Sequence, residues 1–277
     1  MGTLYLVATP IGNLEDVTLR ALRVLGEADW VLAEDTRRTR VLLEHHGVKA
    51  RTRSLHAHNE ARRSEEVLAA LEDNAQVALV SDAGTPLLSD PGHRLVRAAA
   101  EAGHDVVAVP GASAALAAWV ASGLPDGPFT MLGFLPRKAG ARDRLLASYR
   151  GRPESLLIYE SPRRVGATLL ALREQLGDRQ ACVARELTKL HEEVRRGTLG
   201  ELATRFASDV RGEITIVVGG DREGPAPLEP GVLEARIAEL RAQGLGTREI
   251  AALLAQETGL PRRELYSRVL AEAEDPS

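Results

Sequence analysis

The chain has 277 residues, 44% hydrophobic and 27% charged, with 25 Gly, 14 Pro and a formal net charge of −4. That composition excludes disordered, collagen-like and coiled-coil chains, and the length suits two domains of about 110 to 150 residues. The lone Cys182 excludes an internal disulfide or a zinc cluster, no run of 18 apolar residues occurs, and the acidic excess argues against coating nucleic acid by charge alone.

Met1 to Tyr5 carries no positive segment before its apolar run, so it reads as a first strand rather than a signal peptide. With one unpaired thiol, a reducing cytoplasm is the expected location. The periodicity predicts strands at Leu4–Ala8, Trp30–Ala33, Val77–Val80 and Val106–Val109. Amphipathic helices are expected between them at Thr18–Leu25, Thr39–His46, Glu65–Leu71 and His93–Ala102. Alternation of this kind implies a mostly parallel sheet covered by helices.

A second series follows, with strands Phe129–Leu132, Ser155–Tyr159, Ala181–Arg185 and Ile214–Val218. Its helices are Arg142–Tyr149, Arg164–Leu176 and Leu199–Phe206. The seam falls near Leu124-Pro125-Asp126-Gly127-Pro128, which sets an N-terminal domain over 1–123 and a second over 124–220. Residues 221–277 read as a Pro-rich linker, Gly224–Pro230, and a helical tail ending in helices Thr247–Thr258 and Pro261–Ala273. Thr247 to Leu254 with Gly259-Leu260 resembles a helix-turn-helix, but core packing alone produces that pattern. The last helix offers Arg262, Arg263 and Arg268, which neighbouring acids offset.

Charge is uneven. From Thr36 to Arg63 there are eight bases and two acids, whereas from Asp221 onward eleven acids face seven bases, a difference that equals the whole −4. A positive stretch beside a neutral body points to a polyanionic partner at one place. Only three of the 35 bases are lysine: Lys49, Lys138 and Lys189. An ammonium, unlike a guanidinium, is compact and can lose its proton.

Four loops follow expected strands, where open α/β sheets bind ligands. Ala8-Thr9-Pro10-Ile11-Gly12-Asn13 has one Gly where a dinucleotide fingerprint needs three, so a nicotinamide site fails. Glu34-Asp35-Thr36-Arg37 is the second loop. Ser81 to Gly92, with Asp82-Ala83-Gly84-Thr85 at its start, lets backbone N–H groups approach a ligand closely. Pro110 to Ala115 turns into a helix whose free N–H groups favour a carboxylate. No phosphate loop, nucleophile elbow or metal-ligand motif appears, and Asp35, Asp82 and Asp90 lie too far apart in sequence to argue for a cation. Glu160 and Glu186 each directly follow an expected strand, a costly place for a carboxylate without a partner.

The strings LYLVATPIGNLEDVTLRAL, AEDTRRTRVLL, VALVSDAGTPLLSDPG, VPGASAALAA, GFLPRK, YESPRR and RELTKLHEEV occur in order. Together they resemble the ribosomal RNA small subunit methyltransferase I branch of the tetrapyrrole methylase superfamily, over residues 4 to about 219. The resemblance implies two α/β domains of tetrapyrrole-methylase type, the class III methyltransferases, with a small helical C-terminal extension. It implies 2′-O-methylation of a cytidine in the decoding region of 16S rRNA, S-adenosyl-L-methionine as cofactor, no metal, and a homodimer acting on 16S rRNA or the small ribosomal subunit, not on DNA or a membrane. The cofactor residues it implies are Pro10, Asp82, Ala83, Gly84, Thr85, Leu88, Ser113 and Ala114 in the first half. From the second half come Tyr159, Ser161, Leu187, Thr188, Gly212 and Glu213.

RNA contacts are expected at Asp35, Arg37, Arg38, Arg51, Arg53, Arg137, Lys138, Arg163 and Arg164. Arg163 stands where the resemblance leads to His; a phosphate contact survives that change and a proton-transfer role does not. A ribose hydroxyl must shed its proton to attack, so a base is needed. Lys189 fits if Arg185 and burial lower its pKa, whereas Glu160 and Glu186 need no shift. Two rival readings are a tetrapyrrole C-methyltransferase, whose first loop is G-x-G-P-G where this chain has TPIGN, and a helix-turn-helix regulator with a ligand domain.

Overall fold

The structure is a computed structural model that describes residues 2–56, 58–208, 210–221, 231–258, 260 and 262–274. The linker Gly224–Pro230, Gly259 and Pro261 lie outside the described residues. Strands β1 (Thr3–Val7), β2 (Trp30–Ala33), β3 (Thr52–Ser54), β4 (Gln76–Val80) and β5 (Asp105–Val109) form a parallel sheet in the order β3-β2-β4-β1-β5. Strands β1, β2 and β4 are near-continuous apolar runs because both faces are covered. Ala78 and Val80 of β4 face α1 (Leu19–Glu27) and α2 (Thr36–His45), while Val77 and Leu79 face α3 (Glu60–Glu72) and α4 (His93–Glu101). That alternation is the strand period of two. Thr18 caps α1 by accepting from the Ala21 N–H at 3.0 Å, and Asp35 caps α2 by accepting from the Arg37 N–H at 2.9 Å.

The second sheet departs from expectation. Strands β6 (Phe129–Phe134), β7 (Ser155–Glu160), β8 (Gln180–Arg185), β9 (Glu193–Thr198) and β10 (Ile214–Val218) lie in the order β6-β7-β10-β8-β9. Only β6 and β7 are parallel; β10 runs antiparallel to β7 and β8, and β9 antiparallel to β8. The cause is the short connection 186–192, which folds back as a hairpin where a parallel pair needs a crossover helix. Sequence patterning does not single out β3 and β9. Thr52–Ser54 is too short, and Glu193–Thr198 is an edge strand carrying Arg195 and Arg196 in place of an apolar alternation.

One face of this sheet is covered by α6 (Ala139–Ala147), α7 (Val165–Leu176) and α8 (Leu199–Arg205), with Ile158 and Ile216 fully buried beneath them. The other face is covered by α5 (Ala114–Ser122), which belongs by sequence to the 1–123 stretch. Ala115 and Ala118 of α5 lie on Leu157, Cys182, Ala184 and Val217, small side chains letting helix and sheet approach closely. Arg196 of β9 donates to the carbonyls of Ala121 and, at 2.8 Å, Ser122, which satisfies the C-terminal end of α5. The first half of the chain thus supplies a helix that the second sheet needs.

In the tail, α9 (Val232–Ala242), α10 (Thr247–Thr258) and α11 (Arg262–Glu274) enclose a core of their own, including Leu233, Ile237, Ile250, Leu254, Leu265 and Val269. The helix-turn-helix spacing of 247–260 is spent on that core. Arg268 is paired with Glu264 at 3.0 Å, and Arg262 donates to the Arg248 carbonyl at 3.4 Å. No helix among the described residues is long and apolar enough to cross a membrane.

Candidate active site

Loops after β1, β4 and β5 of the first sheet meet loops after β6, β7 and β8 of the second around one cavity of about 370 Å³. That is the size and position of a small-molecule site in an α/β protein. The first-sheet loops are tied together by backbone. Thr9 and Gly84 exchange N–H···O bonds at 2.9 and 3.0 Å, the Ser81 hydroxyl donates to the Gly84 carbonyl at 2.8 Å, and the Thr85 hydroxyl donates to the Ala112 carbonyl at 3.2 Å. Gly84 has φ +81° in this knot, a conformation that favours glycine.

The TPIGN loop docks on the RELTK loop. The Asn13 N–H donates to the Thr188 hydroxyl at 3.0 Å, and a Cβ on Gly12 would stand 2.5 Å from Cγ of Lys189. The RELTK loop is itself strained, with Glu186 at φ 52° and Thr188 at φ 66°, the second an outlier for a β-branched residue. What holds it is charge. The Lys189 ammonium donates to Glu186 at 2.8 Å and to Glu213 at 2.9 Å, while Glu186 also accepts from the Glu213 N–H at 2.9 Å.

Of the expected cofactor residues, Asp82, Ala83, Gly84, Thr85, Leu88, Ala114, Tyr159, Ser161, Leu187, Gly212 and Glu213 line the cavity. Pro10, Ser113 and Thr188 do not: Pro10 is buried beside the lining residue Ile11, Ser113 caps α5, and Thr188 serves the loop contact. Ile11, Asp90, Phe134, Ile214 and Thr215 also line it. Asp90 stands in a string that the sequence singles out, but its direction is set by tertiary structure; Ile214 and Thr215 read as ordinary strand residues. Phe134 and Tyr159 bring their rings to 5.7 Å between centroids on one wall.

The carboxylates are partnered in different ways. Glu160 is 3% exposed and accepts from the Ser161 N–H at 2.7 Å and the Thr168 hydroxyl at 2.6 Å, with Arg164 at 3.4 Å. That is the partner set its burial demands. Asp82 accepts from the Asp35 N–H at 2.8 Å and faces Arg38 at 3.7 Å. Asp90 is half-buried, and burial, then Glu34 and Asp82, push its carboxyl up to about 6. Burial likewise pushes the Tyr159 phenol up.

The expected lowering of Lys189 is not found. Burial alone would lower its pKa, but the hydrogen bonds to Glu186 and Glu213 outweigh it and hold the pKa above the ordinary value of 10.5. Arg185, cast as the group that would depress it, is turned onto Glu193 at 3.1 Å. The Lys189 hydrogen bond and the Glu213 N–H in turn hold Glu186 below its usual range.

The expected RNA residues divide. Arg38 lines the cavity; Arg137 and Lys138 follow β6, Arg163 follows β7, and these three are exposed. Arg37 is held by Asp35 at 2.7 Å, which with the Arg37 N–H keeps Asp35 at about 2. Arg164 turns inward to Glu160 and to the Leu135 carbonyl at 3.3 Å, so its charge is used inside the fold. Arg51 precedes β3, at the edge of the sheet opposite the cavity, and Arg53 stacks on Trp30 with 3.7 Å to the ring centroid.

Residues 3–203 match the family of Tetrapyrrole (Corrin/Porphyrin) Methylases. Curated relatives named Ribosomal RNA small subunit methyltransferase I match nearly end to end. The protein of Micromonospora olivasterospora is 47% identical over 97% of this chain and 86% of its own length. That of Escherichia coli O157:H7 is 42% identical over 98% and 96%. Among solved structures, diphthine synthase superposes with a TM-score of 0.61 at 18% identity, over 79% of this chain and 90% of that one. Uroporphyrin-III C-methyl transferase from Thermus thermophilus, complexed with S-adenyl homocysteine, superposes with a TM-score of 0.55 at 20% identity, over 78% and 97%. These two likenesses carry the fold.

The Glu186–Lys189–Glu213 cluster generates a pH prediction. A depressed Glu186 contributes stability above its ordinary value of 4.5 and loses it as pH falls through the lowered value. A raised Lys189 contributes below 10.5 and loses it only at still higher pH. Lys189→Met is therefore expected to lower the urea midpoint at pH 7, and to lower it less at acidic pH, once Glu186 takes up its proton. An equal loss at both pH values would show that the ammonium charge does not hold the loops.

Proposed function

The chain belongs to the tetrapyrrole methylase family and, within it, to ribosomal RNA small subunit methyltransferase I, and from that premise we propose that it methylates the 2′-hydroxyl of a cytidine in the decoding region of 16S rRNA. The observation that carries the reading is the near-full-length identity to relatives of that name, together with a cavity that collects the matching strings. S-adenosylmethionine, when bound, supplies an electrophilic methyl group on a cationic sulfur.

The cavity residues fit that molecule. Ile11, Leu88, Phe134 and Ile214 give apolar walls that suit a purine, and Gly84 leaves backbone open to close approach. Asp82, Asp90, Glu160 and Glu213 set a negative potential that suits a cation. Lys189, Glu160 and Glu186, the expected candidates for the base, are engaged in ion pairs and hydrogen bonds, and their role is to hold the loops around the ligand. Catalysis then rests largely on orientation, since the charge of the sulfonium disappears as the methyl moves.

RNA phosphates are met by Arg38, Arg137, Lys138 and Arg163 beside the cavity, and the 2′-hydroxyl distinguishes RNA from DNA. The homodimer fits the exposed apolar side chains of α5, Leu116 at 51% and Val120 at 79%, one turn apart on the same face. A ribosomal substrate goes with a cytoplasmic location.

Incubation of the protein with S-adenosylmethionine and small ribosomal subunits is expected to leave one new 2′-O-methyl mark in 16S rRNA, read by reverse-transcription stops at low nucleotide. A mark on a base in place of a ribose would overturn the reading. Arg137→Glu with Lys138→Glu is expected to weaken RNA binding and reduce its salt slope by about two phosphate equivalents, with cofactor affinity intact; an unchanged slope removes the pair from the interface. Sedimentation is expected at twice the chain mass, and at the chain mass for Leu116→Asp with Val120→Asp.

A further inference from the structure

The expected candidates leave the proton of the ribose hydroxyl without an acceptor, and the cavity contains another. Each of the other carboxylates that line it is occupied. Asp82 takes the Asp35 N–H at 2.8 Å, Glu160 takes the Thr168 hydroxyl at 2.6 Å and the Ser161 N–H at 2.7 Å, and Glu213 takes the Lys189 ammonium at 2.9 Å. Asp90 lines the same cavity, is half-buried, and has no hydrogen bond or ion pair to any described residue. A carboxylate in that state has its lone pairs free for a substrate.

The backbone aims it. Leu87 and Ser89 both sit at φ 73°, two left-handed residues without the excuse of glycine, in the turn that leads into Asp90. Gly92, at φ 119°, ends that turn where a Cβ would meet Leu79 at 2.7 Å. Glu60 accepts from the N–H groups of Gly92 at 3.1 Å and Arg94 at 3.2 Å, and the His93 ring meets the Leu87 carbonyl at 2.9 Å. Strain fixed from several sides is how a fold holds one side chain in place.

We propose that Asp90 is the catalytic base, accepting the proton of the ribose 2′-hydroxyl as its oxygen is methylated. The assignment rests on the 2′-O-methylation reading given above. As the 2′-oxygen bonds to the methyl carbon, the methyl–sulfur bond breaks and its electron pair stays on sulfur, which becomes a neutral thioether. The proton passes to Asp90, the carboxylate becomes a carboxylic acid, and the proton later leaves to water. One positive and one negative charge vanish together.

The surroundings tune the group for this. Glu34 and Asp82 are the charges facing it; Arg38 lies 3.7 Å from Asp82, and the Tyr159 phenol across the cavity feels the Asp90 charge in turn. A carboxyl at about 6 is mostly ionised at neutral pH, yet a stronger base than an ordinary aspartate.

Asp90→Asn is expected to lower kcat by about 10²–10⁴-fold at saturating methyl donor and RNA, with RNA affinity and the near-ultraviolet dichroism unchanged and calorimetric donor affinity changed far less than kcat. Asp90→Glu is expected to recover part of the rate. In the protein without donor, carbon-13 carboxyl resonances are expected to include one that titrates near pH 6 and is missing from Asp90→Asn. Wild-type kcat in Asp90→Asn, loss of donor affinity with kcat intact, or an Asp90 resonance titrating in the ordinary range near 4 would each overturn the base while leaving the function reading in place. A wild-type protein that marks no 2′-hydroxyl overturns that reading, and the base with it.

Discussion

The site depends on a contact in which no side chain fits. Gly12 of the TPIGN loop lies against Thr188 and Lys189 of the RELTK loop, closer than any Cβ allows, and the Asn13 N–H completes the junction. This is where the wholly parallel sheet and the mixed sheet touch at the edge of the cavity. Across from it, a Cβ on Gly212 would stand 2.4 Å from Cγ of Glu186, so the carboxylate that binds Lys189 occupies space only glycine vacates. Gly12 therefore sets how closely the two loops approach, while Gly212 and the ammonium between two carboxylates fix the RELTK loop on which it docks. The strained Glu186 and Thr188 persist because these partners over-determine them.

Helix α5 makes the same junction from below. Its N-terminus, capped by Ser113, opens at the cavity; its body covers the second sheet; its C-terminal carbonyls are bound by Arg196 of β9. One face of α5 lies on the second sheet, and the helix is joined directly to the last strand of the first. The two α/β units consequently share a structural element.

The electrostatics are arranged in layers. The cavity is lined by the carboxylates of Asp82, Asp90, Glu160 and Glu213 and by Arg38, while the exposed Arg137, Lys138 and Arg163 follow β6 and β7. Pairing decides which acids stay reactive. Glu160 and Glu186 spend their lone pairs on the fold, whereas Asp90 is left unpaired, and burial, then neighbours of its own sign, raise its affinity for a proton.

Much of this was legible in the chain itself. The period of two along Val77–Val80 and the capping residues Thr18 and Asp35 specify strands and helices locally, and α10 runs over Thr247–Thr258 as its pattern predicts. The loops after strand ends were legible too, because small residues there have a local steric cause; the cofactor residues came from the resemblance, and eleven of the fourteen line the cavity. Tertiary structure decided what pairs with what. Apolar periodicity reports that a face is buried but not by which element, so the packing of α5 on the second sheet is invisible in it. Strand direction depends on how a connection returns, so the antiparallel ladders of β8, β9 and β10 were not readable from their composition. The protonation of Lys189 and Asp90 was least legible of all. A pKa is set by burial and by nearby charges, and both depend on folding: Glu213 for the one and Glu34 for the other come from distant positions in the chain.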